Sequence, residues 1–193
     1  MPLFVATLQT PIGPIEVVTK GLILCGITFE GHGASTRAWM EKRFGEIAIE
    51  QHDSLGDVTD RITAYFAGNI RAVDTLPVDT GGTTFQLLVW EALRKIKPGT
   101  TASYTEVAKT IGRENAARPV GMATGRNPIP IVIPCHRVIA SDGTLGGFGG
   151  GLERKKWLLS HEKGQRALRR CRRCRGSRGR KPTTGSFDGW LCR

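Results

Sequence analysis

The stretch Ser103-Tyr104-Thr105-Glu106-Val107-Ala108-Lys109-Thr110-Ile111-Gly112, followed across Arg113-Glu114 by Asn115-Ala116-Ala117-Arg118-Pro119-Val120-Gly121-Met122-Ala123-Thr124-Gly125, sets the character of the second half of the chain. Ser103 and Glu106 stand three apart, the spacing at which a hydroxyl and a carboxylate satisfy each other's backbone N–H groups at a helix start. Val107 and Ile111 share one helical face, and Gly112 supplies a stop. A second short helix across 115–125 completes a helix-turn-helix pattern, with Arg118 on it and Arg126 just beyond. Two packed helices with no binding role would show the same pattern. Pro119 lacks an N–H and fits only a first helical turn, so this helix is predicted to begin at or just after Arg118.

Upstream, Phe85, Leu88, Val89, Ala92, Leu93 and Ile96 recur at helical spacing and stop at Lys97-Pro98-Gly99, which predicts a core helix. The polar joint Asp79-Thr80-Gly81-Gly82-Thr83 separates it from what precedes. There Phe4 to Leu8, Ile15 to Thr19 and Leu22 to Thr28 read as an antiparallel meander, and 34–44 and 57–67 as helices, the second with Val58, Ile62, Tyr65 and Phe66 on one side. These predict an α+β unit over residues 1–80. Cys25 and His32 are two potential metal ligands without a second pair, so no structural zinc site is expected.

Downstream, Ile131-Val132-Ile133 is a short β-branched run that reads as a buried strand ended by Pro134, which leaves Cys135 at the break. Neighbouring strand side chains point to opposite faces, so Cys135 and His136 meet only if the chain turns or a water bridges them. Read alone, this cysteine fits a small buried hydrophobe as well as a nucleophile. Six glycines surround Phe148 between Ser141 and Gly151, a loop whose backbone must approach something closely or take positive φ. A final helix is predicted over Leu152 to Glu162, bearing Lys155 and Lys156, with His161 and Glu162 near its end. The basic segment 163–193, with Arg169-Arg170-Cys171-Arg172-Arg173-Cys174-Arg175, has no apolar period and is expected to be disordered when unbound.

Of the 193 residues, 39% are apolar, enough for a real core, while no run reaches the roughly 18 apolar residues of a membrane span. No charged-then-apolar leader is evident, and five cysteines without framework spacing suit a reducing compartment. A soluble intracellular protein is therefore expected. The net charge of +11 is unevenly held, because residues 163–193 contain 11 Lys/Arg against Asp188 alone. Elsewhere the first 84 residues have 6 basic and 10 acidic side chains and residues 85–162 have 11 and 6, so the second unit is the one suited to a polyanion.

Five quoted elements together resemble the O6-alkylguanine-DNA alkyltransferases: Pro134-Cys135-His136-Arg137-Val138, Gly125-Arg126-Asn127-Pro128-Ile129-Pro130, Ser103-Tyr104, Ala116-Ala117-Arg118, and Gly147-Phe148-Gly149-Gly150-Gly151-Leu152 running into Lys156-Trp157-Leu158-Leu159-Ser160-His161-Glu162. The resemblance implies an α+β fold, with a small ribonuclease H-like N-terminal domain at 1–80 and a winged-helix, helix-turn-helix DNA-binding and catalytic domain at 83–162. It implies repair by direct reversal, in which an alkyl group passes irreversibly from O6 of guanine, or O4 of thymine, to Cys135 in a single turnover. His136 would take the thiol proton, a water linking the two, Glu162 would hold the imidazolium, and Asn127 would brace the turn presenting Cys135. Tyr104 would donate to the base, with the N–H of Gly149 and the carbonyls of Cys135 and Val138 also reading it. Pro130 and Phe148 would wall the pocket, Arg118 would fill the gap left by a flipped nucleotide, and Arg126 and Lys155 would contact DNA. The expected partner is double-stranded DNA containing O6-alkylguanine, met through the minor groove by a monomer, in the cytoplasm with the chromosome or in a nucleus. Neither metal nor cofactor is expected, and the glycine loop lacks the Gly-Lys-Ser/Thr ending of a phosphate-binding loop. Two other readings use the same residues: a binder that flips alkylguanine without repairing it, and a cysteine hydrolase.

Overall fold

The structure, a computed structural model, describes residues 2–30, 40–45 and 48–170, with side chains to Gly164. Strands β1 (Leu3–Leu8), β2 (Ile15–Lys20) and β3 (Ile23–Phe29) form the predicted meander, with Val5 opposite Val18 and Val17 opposite Ile27. Gly13 and Gly21 adopt φ of 94° and 61° in the two connections, where a side chain would be strained. A short strand that the sequence pattern does not announce, β4 (Ile49–Gln51), adds in parallel beside β1, giving the order β3-β2-β1-β4. Helix α1 (Asp57–Phe66) buries Val58, Ile62 and Tyr65. Of the predicted helix at 34–44, residues 40–44 are helical and 34–39 lie outside the described residues.

Helix α2 (Thr84–Arg94) opens with a capping box in which Thr83 Oγ1 accepts from the Gln86 N–H and Gln86 Oε1 from the Thr83 N–H. The same device opens α3 (Tyr104–Thr110), between Ser103 and Glu106. Helix α4 (Ala117–Gly125) begins one residue before the predicted limit, with Arg118 and Pro119 both in its first turn. The proline is accommodated because the first helical bond is donated by the Val120 N–H to Ala116 O at 2.8 Å, beyond the position where its own N–H is missing. Strands β5 (Ala102–Ser103) and β6 (Val138–Ile139) pair in parallel and bring the Cys135 segment beside the start of α3.

Two expectations are corrected. Residues 131–133 are not a strand: Ile131 and Val132 form a turn, Ile131 with φ of 76°, and only a single bridge joins Pro130 to Ile133. Pro128, Pro130 and Pro134 remove the donors a ladder needs, and a short apolar run cannot by itself distinguish a buried turn from a buried strand. Helix α5 (Leu152–Arg170) continues past Glu162 into the segment expected to be disordered. Gln165-Arg166-Ala167-Leu168-Arg169 consists of good helix formers, and Gly164 alone is not a strong stop. Residues 171–193 lie outside the described residues.

The two sequence units share one core. Ile27 and Phe29 of β3, Ile62 and Tyr65 of α1, Val89 and Leu93 of α2, Ile129, Ile133 and Leu158 belong to a single buried cluster. A backbone bond crosses the same seam: the Ile27 N–H donates to Pro128 O at 2.9 Å. The turn ahead of Cys135 is thus docked on the edge strand of the N-terminal unit. Among the described residues no helix is long and apolar enough to cross a membrane.

Candidate active site

Cys135 opens a single 3₁₀ turn, Cys135–Arg137, in which the Arg137 N–H donates to Pro134 O at 3.0 Å. Asn127 braces what precedes it: Nδ2 donates to Ile133 O at 2.8 Å, while Oδ1 accepts from the Ile129 N–H at 3.0 Å. One amide therefore spans the Ile129–Ile133 turn.

His136 is fully buried, and its Nε2 lies 2.9 Å from Glu162 Oε1. A carboxylate only accepts, so Nε2 carries the proton and Nδ1 of the neutral ring is a free base. Nδ1 is buried without a protein hydrogen-bond partner among the described residues. Glu162 also accepts from Arg137 Nε (2.9 Å) and Nη2 (2.8 Å), from the Tyr65 hydroxyl (2.9 Å) and from the Gly99 N–H (3.2 Å). Burial alone would raise the Glu162 carboxyl, but the bonds from His136 and Arg137 outweigh it and hold it well below the usual carboxylate range. Burial lowers His136, which the carboxylate only partly opposes, so the ring is neutral at pH 7.

Burial pushes the Cys135 thiol up, while a hydrogen bond from Asn127 and the nearby Lys155 ammonium pull it partly back. The resting group is a protonated thiol that needs a base to become a nucleophile. Lys155 corrects one expectation. Its side chain is fully buried, and Nζ donates to the carbonyls of Val138 (2.6 Å), Leu145 and Gly147 (3.4 Å), so it ties the glycine loop to the Cys135 segment and is not on the surface where DNA could be met.

Cys135 lines a cavity of about 210 Å³, several times the roughly 30 Å³ of a water molecule. Asn127, Pro130, Phe148, Gly149 and Arg126 also line it, and so do Ile27, Thr28 and Phe29 of β3. Phe29 packs on Phe148 with ring centroids 5.7 Å apart. Tyr104 stands at the start of α3 with its ring beside Gly121 and its hydroxyl beside Gly146; burial, and secondarily Cys135, raise its phenol. Val138 is buried and its carbonyl accepts from Lys155. Arg118 and Arg126 are exposed, the first away from the cavity and the second at its edge.

The structure thus gathers Cys135, His136, Glu162, Asn127, Pro130, Phe148, Gly149 and Tyr104 into one region. Sequence reasoning missed Arg137, Tyr65 and Phe29. Arg137 lies inside the quoted motif and could have been found as the counter-ion of Glu162, whereas Tyr65 and Phe29 carry no local signal. Cys25 is buried in β3 with its thiol donating to Ile23 O, and His32 lies outside the described residues. Among the described residues no three His, Cys, Asp or Glu side chains form a metal-binding group.

This arrangement has known relatives. Residues 84–164 match the DNA binding domain of 6-O-methylguanine DNA methyltransferase, and residues 3–80 match its ribonuclease-like domain. The methylated-DNA--protein-cysteine methyltransferase of Shigella flexneri is 41% identical over 158 residues, 80% of this chain and 92% of that protein. That of Mycobacterium tuberculosis is 40% identical over 159 residues, covering 81% and 90%. A crystal structure of Mycobacterium tuberculosis OGT in complex with DNA superposes with a TM-score of 0.71 at 36% identity, covering 84% of this chain and 94% of that one. The O6-methylguanine-DNA methyltransferase of Pyrococcus kodakaraensis superposes at 0.67 with 28% identity, covering 83% and 98%. With both halves matched in order and the thiol, imidazole and carboxylate drawn together in the second, the chain belongs to the 6-O-methylguanine DNA methyltransferase family.

Proposed function

We propose that this protein repairs DNA by moving the alkyl group of O6-alkylguanine, and of O4-alkylthymine, onto Cys135. The target is inside a duplex, so it must be rotated out of the stack at a cost of a few kcal/mol. The α3–α4 pair docks in the minor groove, whose sparse sequence code suits a search for damage in any context. Arg118, exposed on the first turn of α4, fills the gap left behind. The base enters the cavity beside Pro130 and Phe148, with the Gly149 N–H facing its oxygen.

His136 Nδ1 takes the Cys135 proton through a bridging water, and Glu162, accepting from Nε2–H, holds the resulting imidazolium. The thiolate attacks the alkyl carbon, the S–C bond forms as the C–O6 bond breaks, and the electron pair passes into the guanine ring. The Tyr104 hydroxyl donates to that ring as the charge develops. The thioether has no leaving path, so each protein acts once, as a monomer.

The observation that carries this reading is a buried thiol at the wall of a cavity of about 210 Å³, followed in sequence by an imidazole whose Nδ1 has no partner among the described residues. Incubation with duplex DNA bearing methyl-labelled O6-methylguanine tests it. One methyl per molecule should appear on Cys135, and none on Cys135→Ala, which still binds DNA. Turnover beyond one equivalent, or label on another residue, overturns it.

A further inference from the structure

The N-terminal unit carries no chemistry in the mechanism above, yet one of its side chains touches the hydrogen-bond system of the site. Tyr65, fully buried on α1, donates its hydroxyl to Glu162 Oε1 at 2.9 Å, the same oxygen that accepts His136 Nε2 at 2.9 Å and Arg137 Nη2 at 2.8 Å. We infer that Tyr65 is a positioning residue for proton transfer at His136, acting through Glu162, so that the N-terminal unit forms part of the active site. This rests on His136 being the base that serves Cys135.

A packing role does not account for the hydroxyl. Five donors converge on one carboxylate: two from Arg137 and one each from His136, Tyr65 and Gly99. A carboxylate offers about four lone-pair sites. The carboxylate therefore needs no further donor for its own satisfaction, and a phenylalanine would keep the ring contacts with Phe66 (5.3 Å between centroids) and His161 (5.5 Å). What the hydroxyl adds is competition. It withdraws electron density from the oxygen that would stabilise an imidazolium, so His136 is kept from holding its proton too firmly.

The location is rigid. His161 Nε2 donates to Tyr65 O at 2.9 Å and stacks on Trp157 with centroids 4.6 Å apart, which ties α1 to α5 one residue before Glu162. The phenol is held neutral, because burial and the adjacent Glu162 carboxylate push it well above its ordinary value, so it donates throughout the working pH range. The other charged groups acting on His136 are Arg137 of the 3₁₀ turn and Lys155 of α5, and both cations disfavour an imidazolium.

The test reads the titration of His136 in the full chain by NMR of labelled histidine, together with the pH profile of single-turnover methyl transfer. In Tyr65→Phe the His136 pKa should rise by about one unit, and the acid limb of transfer should move up with it, giving about tenfold slower transfer below the limb. Site-specific replacement of Tyr65 by 3-fluorotyrosine, a stronger donor that folds with the same ring, should move His136 the other way. An unmoved His136 in both proteins overturns the inference, as does a uniform loss of rate at all pH values with His136 unchanged. The NMR arm needs no DNA, so a wild-type protein that fails to take up methyl would count against the repair reading and leave the titration to decide this one.

Discussion

Gly150 and Phe29 approach so closely that a Cβ built on the glycine would lie 2.6 Å from Phe29 Cε2 and 2.8 Å from Phe148 Cε1. Real Cβ atoms essentially never come that near, so the bare backbone at 150 lets the aromatic of β3 close the cavity against the glycine loop. Gly150→Ala should therefore force the Phe29–Phe148 pair apart and cost about 1–3 kcal/mol of stability, the usual penalty of overpacking. Urea unfolding measures the loss, and adding Phe29→Leu should recover part of it. A Gly150→Ala protein of unchanged stability would show that this aromatic wall yields freely.

Acid should unfold the protein in two stages set by the buried pair. His136 is depressed in the fold by burial, so its contribution is complete above the unfolded value near 6.5 and is lost as pH falls below it. Glu162 is depressed as well, held by His136 and Arg137 against the opposing effect of burial, and its contribution is complete above about 4.3 and lost below. Unfolding free energy should fall on acidification from pH 7, by up to about 1.4 kcal/mol per pH unit for each group titrating. His136→Asn should remove the upper stage and weaken the lower one, because Glu162 then keeps Arg137 but loses the imidazole. A stability that is constant from pH 7 to 5 in the wild type would contradict the buried neutral ring.

Lys155 is a buried cation whose charge acts on the Cys135 thiol. Lys155→Met keeps the stem and removes the charge, so the Cys135 thiol should rise further and its alkylation by iodoacetamide at pH 7.5 should slow, about tenfold for a shift of one pH unit. Mass spectrometry of the Cys135 peptide separates this from Cys25 and the C-terminal cysteines. An unchanged rate would leave Lys155 with the sole task of fastening the Val138, Leu145 and Gly147 carbonyls.

Residues 171–193 hold seven Lys/Arg against one Asp. Their removal should leave methyl transfer intact and flatten the dependence of DNA affinity on salt, by about 0.9 in log-log slope for each phosphate that these side chains neutralise. An identical slope would show that this segment does not meet the phosphate backbone.

The capped start of α3 and the core periodicity of α2 were legible because they depend on residues three and four apart. Cys135, His136, Asn127 and Glu162 were legible for a different reason, since they fall inside compact motifs. Tyr65 was not, because its bond to Glu162 joins positions far apart in sequence and a tyrosine on an apolar helix face looks like any core residue. Phe29 was hidden in the same way at the end of a strand. The run 131–133 misled because branched apolar residues suit a strand as well as a buried turn, and only the surrounding prolines argue for the turn. Lys155 misled because a lysine on a helix usually faces water.

Ile131 is a branched residue held at φ of 76° with its side chain wholly buried, four positions before the nucleophile. Such a conformation costs of order 1–3 kcal/mol, and only tight surroundings can maintain it. The loop leading to the sulfur is therefore a cocked spring rather than a slack tether: it sacrifices some robustness of the whole molecule so that the reacting atom arrives aimed. A chemical tool that is spent after one shot gains most from such aim, since it has no second attempt to correct a miss.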